Sequence, residues 1–442
     1  MATVAAPRPV GDDDPTWFGQ PRGLTVLFLT NMWEQFSYYG MRALLVLYMT
    51  KALALGDGWS SLVYGAYTGC AYLTPIVGGP IADRWLGKRR AIIIGAGLMA
   101  LGHFMMAFEP LLYGALATIA IGNGLFLPSL PSQVGDLYAP NDPRRGWAYN
   151  VYYVGINIGG FLAPFVCGTL AAVYGWHWGF GAAGVGMVVG LIIYLAGGRY
   201  LPPESPRPER PAPAAAARSR FDRATVLTLV GIALSVMVFR GAYEQVGNAL
   251  NKWADTGVDR QAGALVLDTT WFQALNPLFV MLMTPPLLAW WSRRADAGHL
   301  GRPARRMATG ALIVGGAYLL LAAVATASGA SLAHWGWLAL FFVVFTFGEL
   351  FILPTGLGLF ARLAPEGRGA TTVAAWFATI FVGSFGAGAI GTLWTAMPHG
   401  TYFLLLAVIA GVAALLLRAI DPIEQRVEAR RLAQAESGGV GG

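Results

Sequence analysis

Charge is what this chain has least of. Of its 442 residues 12% are charged, three are lysine (Lys51, Lys88, Lys252), five are histidine and two are cysteine, against 56% hydrophobic. So little charge excludes the surface of an ordinary soluble domain. Cys70 and Cys167 both fall inside apolar runs, which excludes a disulfide framework. No His/Cys/Asp cluster has metal-ligand spacing, and no glycine-rich strand-to-helix turn offers a phosphate loop, so no enzyme is expected. His103 reads as a satisfied polar group within a span, and His177, His299, His334 and His399 fall near helix ends or in loops. No signal peptide is expected from residues 1–23, which are polar, proline-rich and acidic at Asp12–Asp14.

Long apolar runs are what the chain has instead. Twelve are long enough to cross a bilayer as helices: 24–50, 60–82, 91–108, 111–135, 147–173, 178–198, 224–251, 268–291, 306–327, 334–360, 369–396 and 400–419. The 58 glycines suit close packing of membrane helices. Basic residues collect after even-numbered spans: Arg84, Lys88, Arg89 and Arg90; Arg144 and Arg145; Arg293, Arg294, Arg302, Arg305 and Arg306. In the odd-numbered loops Lys252 and Arg260 are diluted by Asp255, Asp259 and Asp268. The positive-inside rule then places both termini in the cytoplasm, and the net charge of +7 reflects orientation, not nucleic acid. A linker rich in Pro, Ala and Arg, 199–223, divides six-span halves 24–198 and 224–420. Residues 1–23 and 421–442 are read as cytoplasmic tails, the latter with little order.

The first span holds the most expensive residues. Glu34, Tyr38 and Arg42 are spaced i, i+4, i+8 and share one helix face, which should point to a polar central cavity, with Leu44, Leu45 and Leu47 nearer lipid or neighbouring helices. The segment reads Asn31-x-x-Glu34-Gln35-Phe36, then Tyr38-Tyr39-Gly40 and Arg42. It resembles the first helix of the proton-coupled oligopeptide transporters of the major facilitator superfamily. Those proteins carry Glu-x-x-Glu-Arg-Phe, an aromatic pair, Gly and Arg. Asn31 and Gln35 depart from that motif. Leu127 is a third departure, standing where the family has a Lys that helps bind the peptide carboxylate. Losing one member of a buried charge network leaves the others unpaired, whereas losing the set together is electrostatically consistent.

Other segments carry the same resemblance. Gly79-Pro80-Ile81-Ala82-Asp83-Arg84, followed by Gly87-Lys88-Arg89-Arg90, looks like the superfamily loop motif, whose Asp83 and Arg84 would lock and release the cytoplasmic side. Asn150-Val151-Tyr152-Tyr153 through Ile156-Asn157-Ile158-Gly159 matches the span-five signature, with Tyr153 and Asn157 able to face a peptide backbone. In span seven Arg240, Glu244 and Asn248 share a face. The resemblance implies that Glu244 pairs with Arg42, while Arg240, unusual there, can pair with Glu244 one turn away. Gln273-x-Leu275-Asn276-Pro277 and Gly348-Glu349-Leu350 with Pro354 resemble the span-eight and span-ten elements, making Asn276 a backbone-reading amide and Glu349 the acid for the free amine. Tyr72 and Trp376 match pocket aromatics.

The expectation is an all-α major facilitator fold of twelve transmembrane helices, monomeric in the bilayer of the cell membrane. It would move di- or tripeptides or peptide-like zwitterions by alternating access, with no cofactor beyond a coupling proton. Arg42 would bind the carboxylate, Glu349 the ammonium, and Asn157 and Asn276 the backbone, with Glu34, Arg42, Arg240 and Glu244 in coupling and gating. Two other readings stay open: an uncoupled facilitator or exporter of a non-peptide metabolite or drug, and a non-cycling substrate sensor. The loop motif argues against the sensor.

Overall fold

The computed structural model describes residues 16–17, 19–139, 142–202, 222–296, 302–364 and 369–439. His299, most of the linker (203–221) and most of the amino-terminal tail lie outside them. Twelve long helices follow the twelve apolar runs. They are α1 Arg22–Leu47, α2 Asp57–Ile81, α3 Lys88–Met105, α4 Leu112–Asp136, α5 Arg144–Ala163, α6 Trp176–Ala196, α7 Arg223–Tyr243, α8 Leu275–Asp296, α9 Pro303–Ser328, α10 Trp335–Glu349, α11 Gly369–Gly391 and α12 His399–Gly439. Nine spans among the described residues, from Glu109–Asp136 onward, are apolar enough to cross a membrane by length and composition. The earlier three carry the charged motifs, including Glu34, Arg42 and Lys88.

The contacts form two compact units. One comprises residues 1–56, 70–209 and 260–278; the other comprises 57–69, 210–259 and 279–442. Inside the first, α1 packs on α5 and α6, and α3 packs on α4 and α6. Inside the second, α7 packs on α11 and α12, and α9 packs on α10 and α12. Adding six to each helix number in the first set gives the second, the mark of a parallel structural repeat.

Glycine makes several crossings possible. A Cβ on Gly78 would strike the carbonyl of Gly124, where α2 meets α4. One on Gly159 would strike the carbonyl of Met32, where α5 meets α1. Leu44, Leu45 and Leu47 are buried against neighbouring helices. Both cysteines are free thiols.

Three readings need correction. The carboxyl-terminal segment is helical through Gly439, not poorly ordered. Val427 and Glu424 are buried, Arg302 lies 3.7 Å from Asp421, and Arg362 lies 3.2 Å from Glu428. These contacts tie the extension to the start of α9 and to the helix Leu353–Arg362. His103 is not satisfied: it is fully buried on α3 and neither ring nitrogen has a hydrogen-bond partner. Span seven does not run unbroken. After Tyr243 it tightens to a 3-10 turn, Glu244–Gly247, and resumes as Ala249–Thr256.

Candidate functional site

In the amino-terminal unit the polar residues of α1 are knitted to α5 and to each other. Asn31 is buried and its Nδ2 donates to the carbonyl of Tyr152 at 3.2 Å. Gln35 Nε2 donates to Glu34 Oε2 at 2.7 Å. Glu34 is 2% exposed, so a neutral amide, not a guanidinium, meets this buried carboxyl group. Of the two departures from the family motif, Gln35 thus meets Glu34 and Asn31 meets the backbone of α5, each through a neutral amide. Tyr38 and Tyr39 meet edge to face at 5.4 Å and, like Arg42 one turn on, are half-buried.

The same unit holds the other candidates of the first half. Asn157 is buried and its Nδ2 donates to the carbonyl of Tyr153 at 3.0 Å on the same helix. Tyr153 is 40% exposed. Tyr72 and Leu127 are half-buried on α2 and α4. Asn123 joins these two helices, donating from Nδ2 to the carbonyl of Ala71 at 2.7 Å. Asn276 belongs to this unit too, at the start of α8, where the next residue, Pro277, lies within reach of a Cβ placed on Gly160.

At the end of α2 the chain passes through a π-helical turn, Ala82–Leu86, closed by Gly87 at φ +80°. Gly87 takes up that left-handed conformation without a Cβ penalty. Asp83 and Arg84 are exposed on this turn, and Lys88 just beyond it pairs with Asp136 at 2.6 Å.

The carboxyl-terminal unit holds a denser cluster. Arg240 on α7 and Glu244, four residues on at the start of the 3-10 turn, are each 2% exposed and form an ion pair. Arg240 Nη2 also donates to Ser384 Oγ at 2.9 Å, and Ser384 Oγ donates to Glu244 Oε1 at 3.1 Å. Ser384 comes from α11, so the pair is braced across two helices. The Arg240 guanidinium lies 4.7 Å from the centre of the Tyr243 ring. Tyr243 in turn donates from its hydroxyl to Glu349 Oε1 at 2.7 Å. Glu349 ends α10, just before the break that precedes Pro354. A continuous chain therefore runs Glu244–Arg240–Tyr243–Glu349. Trp376 is 3% exposed, packed on the ring of Phe360 and over Gly356.

Two of these residues escaped the reading of the sequence. Ser384 sits in a run of Gly, Ala, Phe and Ser that offers no signal. Tyr243 is one residue before the acid, and only its position beside Glu349 on another helix gives it a role. Among the described residues no group of His, Cys, Asp and Glu could hold a metal.

The model of the POT family matches residues 89–218 and 212–405. The chain is 31% identical to the peptide transporter YePEPT of Yersinia enterocolitica over 85% of this chain and 88% of that one. It is 31% identical to a di-/tripeptide transporter of Lactococcus lactis subsp. cremoris, over 82% and 88%. A crystal structure of a mutant peptide transporter POT in complex with alafosfalin superposes with a TM-score of 0.85 at 29% identity, covering 94% of this chain and 97% of that one. The fold is therefore the twelve-helix major facilitator architecture, and the chain belongs to the POT family of transporters.

Proposed function

We propose that the protein carries di- or tripeptides, or peptide-like zwitterions, across the membrane by alternating access. Membership of the POT family supports this, together with relatives described as peptide and di-/tripeptide transporters and one that binds alafosfalin. The observation in this chain that carries the reading is the buried Glu349 carboxylate at the helix break after α10, oriented by the Tyr243 hydroxyl. An oriented carboxylate at a discontinuous helix suits a substrate ammonium. Arg42 takes the substrate carboxylate. With Leu127 in place of Lys, that end has one cationic clamp, so preference for a free C-terminus is weakened.

Coupling, on this reading, uses Glu34. Glu244 is already compensated by Arg240 on its own helix, and protonating it would break an ion pair braced by Ser384. Among the described residues Glu34 takes its side-chain hydrogen bond from the Gln35 amide and forms no ion pair that a proton would break. The competing mechanism is uncoupled facilitation, favoured by the neutral arrangement at Asn31, Gln35 and Leu127. Uptake of labelled dialanine into proteoliposomes under an inward acid gradient separates them. Accumulation above the outside concentration, lost in Glu34→Gln with exchange spared, supports coupling at Glu34. Equilibration without accumulation establishes the facilitator.

A further inference from the structure

The chain enters α1 through a small hairpin in which Thr16–Trp17 pairs antiparallel with Gln20–Pro21. Two hydrogen bonds tie it to the loop after α4 and to the first residue of α5. The Tyr138 hydroxyl donates to Gln20 Oε1 at 2.8 Å, and Arg144 Nη1 donates to the carbonyl of Gly19 at 3.3 Å. Arg144 is itself held by Asp142 at 2.8 Å. The anchored hairpin sets Trp17, 53% exposed, at the edge of a cavity of about 560 Å³.

This cavity is built entirely within the amino-terminal unit. Val26 and Leu29 of α1 and Ile193 and Ala196 of α6 give it an apolar floor. Arg22 also lines it, and Arg22 and Arg199 converge on the Tyr200 ring, 5.7 and 4.7 Å from its centre. Both arginines are exposed. Among the described residues no carboxylate lines the cavity. The first turn of α1 has no acidic residue, and no side chain caps it, so its N–H groups add to the positive potential.

We propose that this cavity binds one anionic glycerophospholipid, its phosphate between Arg22 and Arg199 and an acyl chain along α1 and α6. One guanidinium in the lining, Arg22, and a second on the Tyr200 ring at its margin, Arg199, beside an apolar trough match a ligand with an anionic head and a hydrocarbon tail. Guanidinium forks suit phosphate oxygens, and basic pockets at the cytoplasmic ends of membrane helices attract acidic headgroups. The arginines lie at the helix ends that the positive-inside rule assigns to the cytoplasm, hence at the headgroup depth of the inner leaflet. Trp17 and Tyr200 are aromatics of the kind found at that boundary. A zwitterionic choline lipid would bring its own cation to two guanidiniums, and inorganic phosphate would leave the apolar floor unused. None of the residues assigned to substrate lines the cavity, so this site stands apart from the transport reading.

Native mass spectrometry of the full chain, titrated with phosphatidylglycerol or with phosphatidylcholine of the same acyl chains, tests the assignment. The expected result is one retained phosphatidylglycerol, bound about tenfold or more tighter than phosphatidylcholine. Arg22→Gln with Arg199→Gln should bring the two lipids level, while Arg22→Lys with Arg199→Lys keeps part of the preference and reports a folded protein. Arg293→Gln with Arg294→Gln, which removes the same charge elsewhere, should change nothing. Retention of phosphatidylglycerol by the double Gln variant would overturn the proposal. An equal loss in the Arg293 and Arg294 control would do so too, as would displacement by millimolar inorganic phosphate.

Discussion

Arg240 near the end of α7 and Glu244 at the start of the 3-10 turn that follows are joined in an ion pair whose carboxylate also accepts a hydrogen bond from Ser384. Arg240 gives Glu244 a countercharge on its own helix, so the acid is compensated by a residue that moves with it.

The first expectation follows from burial of that pair. Arg240→Met removes the guanidinium from a buried ion pair and should destabilise the fold by about 3–5 kcal/mol. Arg240→Met with Glu244→Gln removes both charges and should recover most of the loss. Melting temperatures of the three proteins in one detergent check this. A double variant no better than the single would show that the pair is not the stabilising unit.

Tyr243 orients Glu349, and a hydrogen bond to a charged group is worth about 1.5–3 kcal/mol. Tyr243→Phe should therefore raise the KM for dialanine about tenfold or more, with little change in melting temperature. A peptide with a blocked amine, which has no ammonium to offer Glu349, should be insensitive to the change. Concentration-dependent uptake of the two substrates gives the comparison.

Packing predicts opposite signs at two glycines. A Cβ on Gly159 would meet the Met32 carbonyl and lie 2.8 Å from the Phe36 nitrogen, so Gly159→Ala should cost about 1–3 kcal/mol. Gly97, inside α3, has nothing within 4 Å of its virtual Cβ, so Gly97→Ala should stabilise by up to about 1 kcal/mol. Melting temperatures moving in the same direction would refute the packing description.

The hairpin before α1 has its own pH dependence. Hydrogen bonds from Arg144 hold the Asp142 carboxyl below its ordinary value of 3.8. A depressed carboxylate contributes stability that is full at neutral pH and is lost as pH falls through the folded value. Trp17 emission should therefore stay constant from neutral pH down to about the ordinary carboxylate range and change only below it. In Asp142→Asn the emission should already be altered at neutral pH.

The twelve spans were legible because bilayer thickness sets a length and loop charge sets an alternation, both one-dimensional properties. The i, i+4 spacing of Arg240 and Glu244 was legible for the same reason, since a helix turns local spacing into contact. What escaped depends on residues distant in sequence. Ser384 matters because α11 lies on α7, and Tyr243 because α10 ends beside it. His103 read as satisfied because burial and hydrogen bonding are indistinguishable in a sequence. The carboxyl-terminal extension, charged and then Gly-rich, read as a tail with little order, yet Arg302 and Arg362 supply partners from elsewhere in the chain.

Counterflow of labelled dialanine into proteoliposomes, with neither a pH gradient nor a voltage, tests the central claim most directly. It requires a peptide site and a cycling carrier but no coupling ion. The account predicts clear uptake driven by unlabelled dialanine inside, abolished by Glu349→Gln. Absence of uptake by a reconstituted protein that exchanges another zwitterion would contradict peptide transport.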